Sequence, residues 1–209
     1  MNVKATAYHE AGHAVVAAAL RRKVHSITII PDAEAHGRVR HESPLRGIRL
    51  DFDGSNRARL RAEEAIMIFL GGPIAERRAF PRSLRHWHTH GDYTKATDIS
   101  GSVCGSTEEE SAFLNWLAIK TQKILDLRWN QIERIAAALI ERRRLSGKEI
   151  VERFETVADS KKYKPTSEDE WPIRMLPDGT LNVVSEDDDE EDKKDVKRRP
   201  AIRSKKASR

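Results

Sequence analysis

The sequence predicts a mainly α-helical domain with a small β-sheet or hairpin, followed by a charged tail. Three observations carry that prediction. Apolar and small residues recur at helical spacing over residues 3–22, 57–70 and much of 107–142, the pattern of helices with a buried face. One β-branched run, VHSITII at residues 24–30, interrupts them and ends at Pro31-Asp32, as a strand closed by a turn does. Past residue 155 the periodicity stops and charge takes over. The expected division is a folded domain over 1–155 and a disordered tail over 156–209.

The elements follow in order. Residues 3–22 are rich in alanine and nothing breaks them, so a helix is expected there. RVRHE, residues 38–42, follows Gly37 and can pair with 24–30 as a hairpin. Residues 45–56, LRGIRLDFDGSN, read as a loop. A second helix is expected from Arg57 to Leu70, with Ala58, Ala62, Ala65, Ile66 and Phe69 on one face. Gly71-Gly72-Pro73 then predicts a kink or a fresh start, because proline brings no backbone donor. Asp92 is expected to open a third helix, where a carboxylate sits well. Thr107 and Glu110 have capping-box spacing ahead of a long helical stretch. Within it Ile132, Ile135, Ala136 and Leu139 keep one face, and Trp116 and Trp129 read as core. A short last helix follows Ser146-Gly147.

Composition excludes several classes. The one cysteine, Cys104, allows neither an intramolecular disulfide nor a cysteine-rich zinc site. No apolar run approaches the ~20 residues of a membrane span, and the N-terminus lacks the layout of a secretory signal. A reducing, cytoplasmic setting is the expectation. The formal charge of +5 is unevenly spread, with EDDDEED at 186–192 followed by KKDVKRRPAIRSKKASR. A solvated tail is expected, with nucleic-acid contact confined to that basic end.

Chemistry concentrates in YHEAGHAVVA, residues 8–17. On a helix His9 and His13 lie one turn apart on one face, so both imidazoles can hold one cation. Glu10 lies about 100° round the helix, beside that face. From there its carboxylate can take a proton from water that zinc has acidified, the HExxH arrangement of zinc proteases. Gly12 costs roughly 0.5–1 kcal/mol in a helix interior, which suggests close approach by another backbone. A catalytic zinc needs a third protein ligand, and HWHTHGDYTKATD, residues 86–98, offers His86, His88, His90 and Asp92. Alternating spacing would put the three histidines on one side of an extended segment. His25, His36 and His41 read as surface residues.

TAYHEAGHAVV resembles the zinc-binding helix of the FtsH-type metallopeptidases, the peptidase domains of membrane-bound AAA proteases. VHSITIIPDAEAHGRV, FLGGPIAE, DYTKAT and ALIERRRLSGKEI are similar to further segments of that family, in the same order over about 150 residues. The resemblance implies a helical FtsH-like peptidase domain in which His9, His13 and Asp92 hold Zn2+ and Glu10 is the general base. It also implies protein or peptide substrates, and a strand near 24–30 beside the cleft. Pro73 stands where the family commonly has arginine, and HTHG precedes Asp92 in place of GASN. The segment between the Asp92 helix and the long helix is shorter, and no GxxxxGK[ST] phosphate loop occurs. The expected activity is a zinc-dependent endopeptidase for flexible or unfolded segments. Room is left for a separate ATPase or unfoldase partner and for a homo-oligomer. The alternative from another class is a non-catalytic, zinc-stabilised module that recruits a partner or nucleic acid through the tail.

Overall fold

The computed structural model describes residues 2–32, 36–81, 86–155, 173–175 and 181–183. Contacts divide the chain into two units, Met1–Pro165 and Thr166–Arg209. The first is mostly helical with one small sheet, as expected. Its elements are α1 (Val3–Ala19), β1 (Val24–Thr28), β2 (Arg38–His41), α2 (Asn56–Ala79), α3 (His86–Gly101), α4 (Thr107–Leu127), α5 (Trp129–Arg142), β3 (Arg144–Ser146) and α6 (Gly147–Glu155). The expected tail lies mostly outside the described residues. Within the second unit β4 (Ile173–Met175) and β5 (Leu181–Val183) pair antiparallel.

α1 opens at Asn2, whose side chain accepts from the Lys4 N–H, satisfying one donor of the first turn. Arg21 takes a left-handed turn at φ 59° just past its end. From Ala5 to Ala17 all but Tyr8 of this helix is buried. It packs against α2 and α5, while α2 also meets α3 and α4.

β1 lies between β2 and β3, antiparallel to both, so it is not an edge strand. β3 was hidden in the sequence by its three-residue length; Leu145 faces Ile27 across it, and both are fully buried. The outer strands are β2 and β3, and the pairing of β2 with β1 carries a register shift between Val24 and Ser26.

Several expected boundaries move. α2 runs through Gly71-Gly72-Pro73 without a new start. Its residues 70–76 are buried, and that packing outweighs the roughly 3 kcal/mol cost of proline inside a helix. α3 begins at His86, so Asp92 sits inside the helix rather than at its N-terminus. The alternation of His86, His88 and His90 therefore falls on a helical backbone; their side chains lie outside the described residues. Ser106, not Thr107, caps α4, accepting from the Glu109 N–H at 3.2 Å. The long stretch breaks at Arg128 into α4 and α5. Trp116 is 45% exposed, whereas Trp129 is half-buried with its ring 5.9 Å from Tyr8 and under Arg78.

Candidate metal centre

α1 and α2 cross antiparallel along a line of small residues. Gly12 lies so close to α2 that a Cβ there would fall 2.3 Å from the Gly71 carbonyl oxygen and 2.6 Å from Ala75 Cβ. The crossing brings Ile68, Gly72 and Glu76, each one turn apart on α2, under the two histidines. A Cβ on Gly72 would lie 2.3 Å from His13 Nε2, so only glycine leaves that imidazole its place. At the far end the seam closes with Arg22, which donates to Glu64.

Each imidazole is held through its Nδ1. His13 Nδ1 stands 2.7 Å from the Ile68 carbonyl oxygen. A carbonyl only accepts, so Nδ1 carries the proton and, in the neutral ring, Nε2 carries a lone pair. His9 Nδ1 lies 3.0 Å from Glu76 Oε2, and Glu76 is 3% exposed. A partner on the far ring nitrogen is the usual way a ligating histidine is oriented. Asp92, on α3, completes the cluster. His9 Nε2 to Asp92 Oδ2 is 3.0 Å, His9 Nε2 to His13 Nε2 is 3.0 Å, and His13 Nε2 to Asp92 Oδ2 is 3.3 Å.

Three electron-rich atoms so close in a buried site require positive charge among them. A proton can bridge two of the three; a divalent cation can bind all three. Tetrahedral zinc with ~2.0–2.1 Å bonds would separate its ligand atoms by about 3.3 Å, close to the spacing found. His9, His13 and Asp92 are also the group among the described residues whose ligand atoms lie within 4.8 Å of one another. The donor set of two imidazoles and one carboxylate suits zinc.

Electrostatics express the same demand. Burial works against a charged His9, but the Asp92 and Glu76 carboxylates push its pKa up to about 10. Burial alone would raise Asp92; the two histidines instead hold it well below the usual carboxylate range. Glu10, 6% exposed, is raised by burial, partly offset by the imidazoles. Its side chain rests against the loop leading into β2, where a Cβ on Gly37 would lie 2.6 Å from Oε1.

The structure therefore brings His9, Glu10 and His13 of α1 together with Asp92 of α3. His25 and His36 are exposed, and His41 is half-buried at the end of β2. Sequence reasoning missed Glu76 and Gly72. Their signal was the i, i+4 spacing of Gly72 and Glu76 beside Ile74 and Ala75, an acidic residue on an apolar helix face. The Ile68 carbonyl left no signal, since every residue carries one.

A mostly helical domain that gathers HExxH and an aspartate from a second helix has the make-up of a metallopeptidase domain. Comparison with known families specifies which: the model of peptidase family M41 matches residues 1–106, just over half of the 209, and the chain belongs to that family. It is also similar to the ATP-dependent zinc metalloprotease FtsH of Magnetococcus marinus, at 44% identity over 75 residues. That stretch is 35% of this chain and 10% of the relative. No described helix is long and apolar enough to cross a membrane.

Proposed function

We propose that the chain is a zinc-dependent endopeptidase that hydrolyses flexible or unfolded protein segments, with residues 1–155 as its catalytic domain. The observation that carries the reading is the convergence of His9 Nε2, His13 Nε2 and Asp92 Oδ2 at 3.0–3.3 Å with Glu10 buried beside them. His9, His13 and Asp92 would hold the ion, and Glu76 and the Ile68 carbonyl keep the imidazole lone pairs aimed at it. A zinc ion so held supplies Lewis acidity toward a carbonyl oxygen and acidity toward water. Glu10 accepts the proton of the attacking water and passes it to the departing amine nitrogen. Gly37 fixes how far that carboxylate can swing.

The substrate has to be extended to reach this centre. β1 is covered on both sides, so we place the peptide along the outer edge of β2, which begins next to Gly37 and thus next to Glu10. Main-chain hydrogen bonds to that edge would hold it. Following the ATP-dependent relative, we assign unfolding of the substrate to an ATPase outside residues 1–155. The buried Glu10 disfavours a purely structural site, which gains nothing from a carboxylate that does not ligate.

The test is digestion of an unstructured protein by the zinc-loaded chain beside Glu10→Gln, with zinc content measured on both. Cleavage by the parent alone, at equal zinc, is the expected result. Equal zinc with no cleavage by either would overturn the reading.

A further inference from the structure

The three-stranded sheet has two unlike faces. Ile27 of β1 and Leu145 of β3 point to the core and are fully buried, with half-buried Val39 of β2 beside them. Alternation along each strand sends the neighbouring residues outward: Arg38 and Arg40, Ser26 and Thr28, Arg144 and Ser146. Three of these six are arginines and none is acidic. A cavity of about 560 Å³ opens on the outward face, lined by His25, Ser26, Arg40, Arg144, Ser146 and Glu149.

Register fixes how the cations stand. Arg40 lies opposite Ser26 and Arg144 opposite Thr28, on the two flanks of β1. Strands ~4.8 Å apart with ~3.3 Å per residue put the two arginine backbones about 12 Å from each other. Both side chains nonetheless line the same cavity, together with Ser26. Most other polar groups of the face are already engaged. Arg38 pairs with Asp32 at 3.1 Å, and Glu149 accepts from Arg142 and from the Ser146 hydroxyl, both at 2.7 Å. The Thr28 hydroxyl donates to the Arg143 carbonyl at 3.4 Å. Among the described residues nothing pairs with the exposed guanidiniums of Arg40 and Arg144 or with the Ser26 hydroxyl.

Charge and lining select the occupant. Two unpaired guanidiniums and an unpaired hydroxyl around one cavity are donors without an acceptor, and a guanidinium fork fits the two oxygens of a carboxylate. No apolar side chain lines the cavity, so an uncharged small molecule has little to be buried against. Outward residues on each strand repeat every ~6.6 Å, the interval at which an extended peptide presents alternate side chains. Single-stranded nucleic acid fits less well, because it binds by stacking its bases on aromatic side chains, and the lining holds no tyrosine, phenylalanine or tryptophan. Glu149 in the wall and Asp32 on Arg38 also weaken the field that a continuous run of phosphates requires.

We propose that the outward face of the β2-β1-β3 sheet docks an extended, carboxylate-rich polypeptide segment, its acids seated between Arg40 and Arg144 with the Ser26 hydroxyl donating from beneath. The cavity shares no residue with the cluster of His9, His13 and Asp92. Docking there is therefore independent of the peptidase reading.

Binding is measured on the full chain carrying Glu10→Gln, which takes cleavage out of the readout. Because EDDDEED at 186–192 has the probe's chemistry, a second preparation has the acids of that run changed to their amides. The probe is a fluorescein-labelled peptide of about ten residues with glutamate at every second position. Its lysine counterpart and an oligothymidylate of about the same length serve as comparisons. Anisotropy should rise with the glutamate peptide, and affinity should fall as salt goes from about 50 to about 200 mM. Arg40→Glu and Arg144→Glu should each weaken binding at least about tenfold, since each turns an attraction into a repulsion. Lys123→Glu makes the same change of charge on α4, outside the cavity, and should leave affinity within about twofold. Without either arginine substitution, the backbone amide resonances of Ser26, Arg40, Arg144 and Ser146 should move on titration, a readout that needs no charge-reversed variant to fold. An equal loss in Lys123→Glu, or shifts confined to other residues, overturns the face as the site. Tighter binding of the oligothymidylate at those amides overturns the carboxylate class. No binding of the glutamate peptide to either preparation at about 50 mM salt overturns the proposal outright.

Discussion

Where α1 crosses α2, the contact is made by glycine and alanine around buried His9, Glu10, His13, Glu64 and Glu76. In α4 and α5 the most deeply buried large side chains are instead Leu114, Leu117, Leu125, Ile132, Ile135 and Leu139, each at most 1% exposed. Fully burying a leucine or isoleucine contributes roughly 1.5–3 kcal/mol, and α2 adds Ile66, Ile68 and Leu70, each at most 2% exposed. Small residues contribute less, but they let two backbones approach closely enough to hold polar atoms in fixed positions. The α1–α2 seam is therefore a positioning device, and the large apolar side chains of α2, α4 and α5 supply burial that keeps it assembled.

That division can be broken from either side. The largest expected effect lies in the seam: Glu10→Gln should cut peptide hydrolysis by about 10²–10⁴-fold, the usual worth of general acid–base catalysis. Its melting temperature should move little, and calorimetry beside turnover would show whether chemistry and stability are separable here. Next comes Glu76→Gln, which leaves the packing and removes the charge behind His9. Zinc affinity, by competition with a chelator dye, should fall about 10–100-fold as for other partners of ligating histidines. An unchanged affinity would mean that α2 only fills space.

In the other region, Leu139→Ala should lower unfolding free energy by about 2–5 kcal/mol while zinc stoichiometry of the folded protein stays at the parent value. Denaturant melts would register it. Gly12→Ala tests the seam as packing, since its methyl group meets the Gly71 carbonyl. Overpacking of this kind costs about 1–3 kcal/mol, and zinc affinity should fall with it, unlike in Leu139→Ala.

The smallest effect lies away from both. The Ser146 backbone N–H and hydroxyl, aided by Arg142, hold Glu149 down to about 2 from 4.5. Its folded pKa is depressed, so its stabilisation is present above about 4.5 and is lost as pH falls toward 2. Acid unfolding of Glu149→Gln should show a shallower slope in that window. An identical slope would mean that this surface cluster contributes nothing measurable.

Much of this was legible because periodicity is local, and α1, β1, β2 and α6 fall within a few residues of where the pattern puts them. Errors arose where distant packing outweighed local preference. Pro73 reads as a break, yet burial of residues 70–76 against the rest of the core keeps α2 whole. Asp92 reads as a helix start, yet α3 begins six residues earlier, and the carboxylate is oriented by facing His9 and His13 rather than by a helix terminus. β3 is three residues long and has too little pattern to be seen until it pairs with β1.

The sequence by itself determined the chemistry available: two histidines and a glutamate on one helix, and, 83 residues past His9, an acid in HWHTHGDYTKATD. Spacing along a helix is a local property, so the i, i+4 pair could be read without a fold. Tertiary structure decided everything that depends on atoms far apart in the chain. It chose Glu76 and the Ile68 carbonyl to hold the imidazoles, set Gly72 beneath His13, and placed β1 between β2 and β3. Those choices are non-local because a hydrogen-bond partner is defined by approach to within about 3 Å, and only the packing of α1 on α2 and α3 brings those atoms that close.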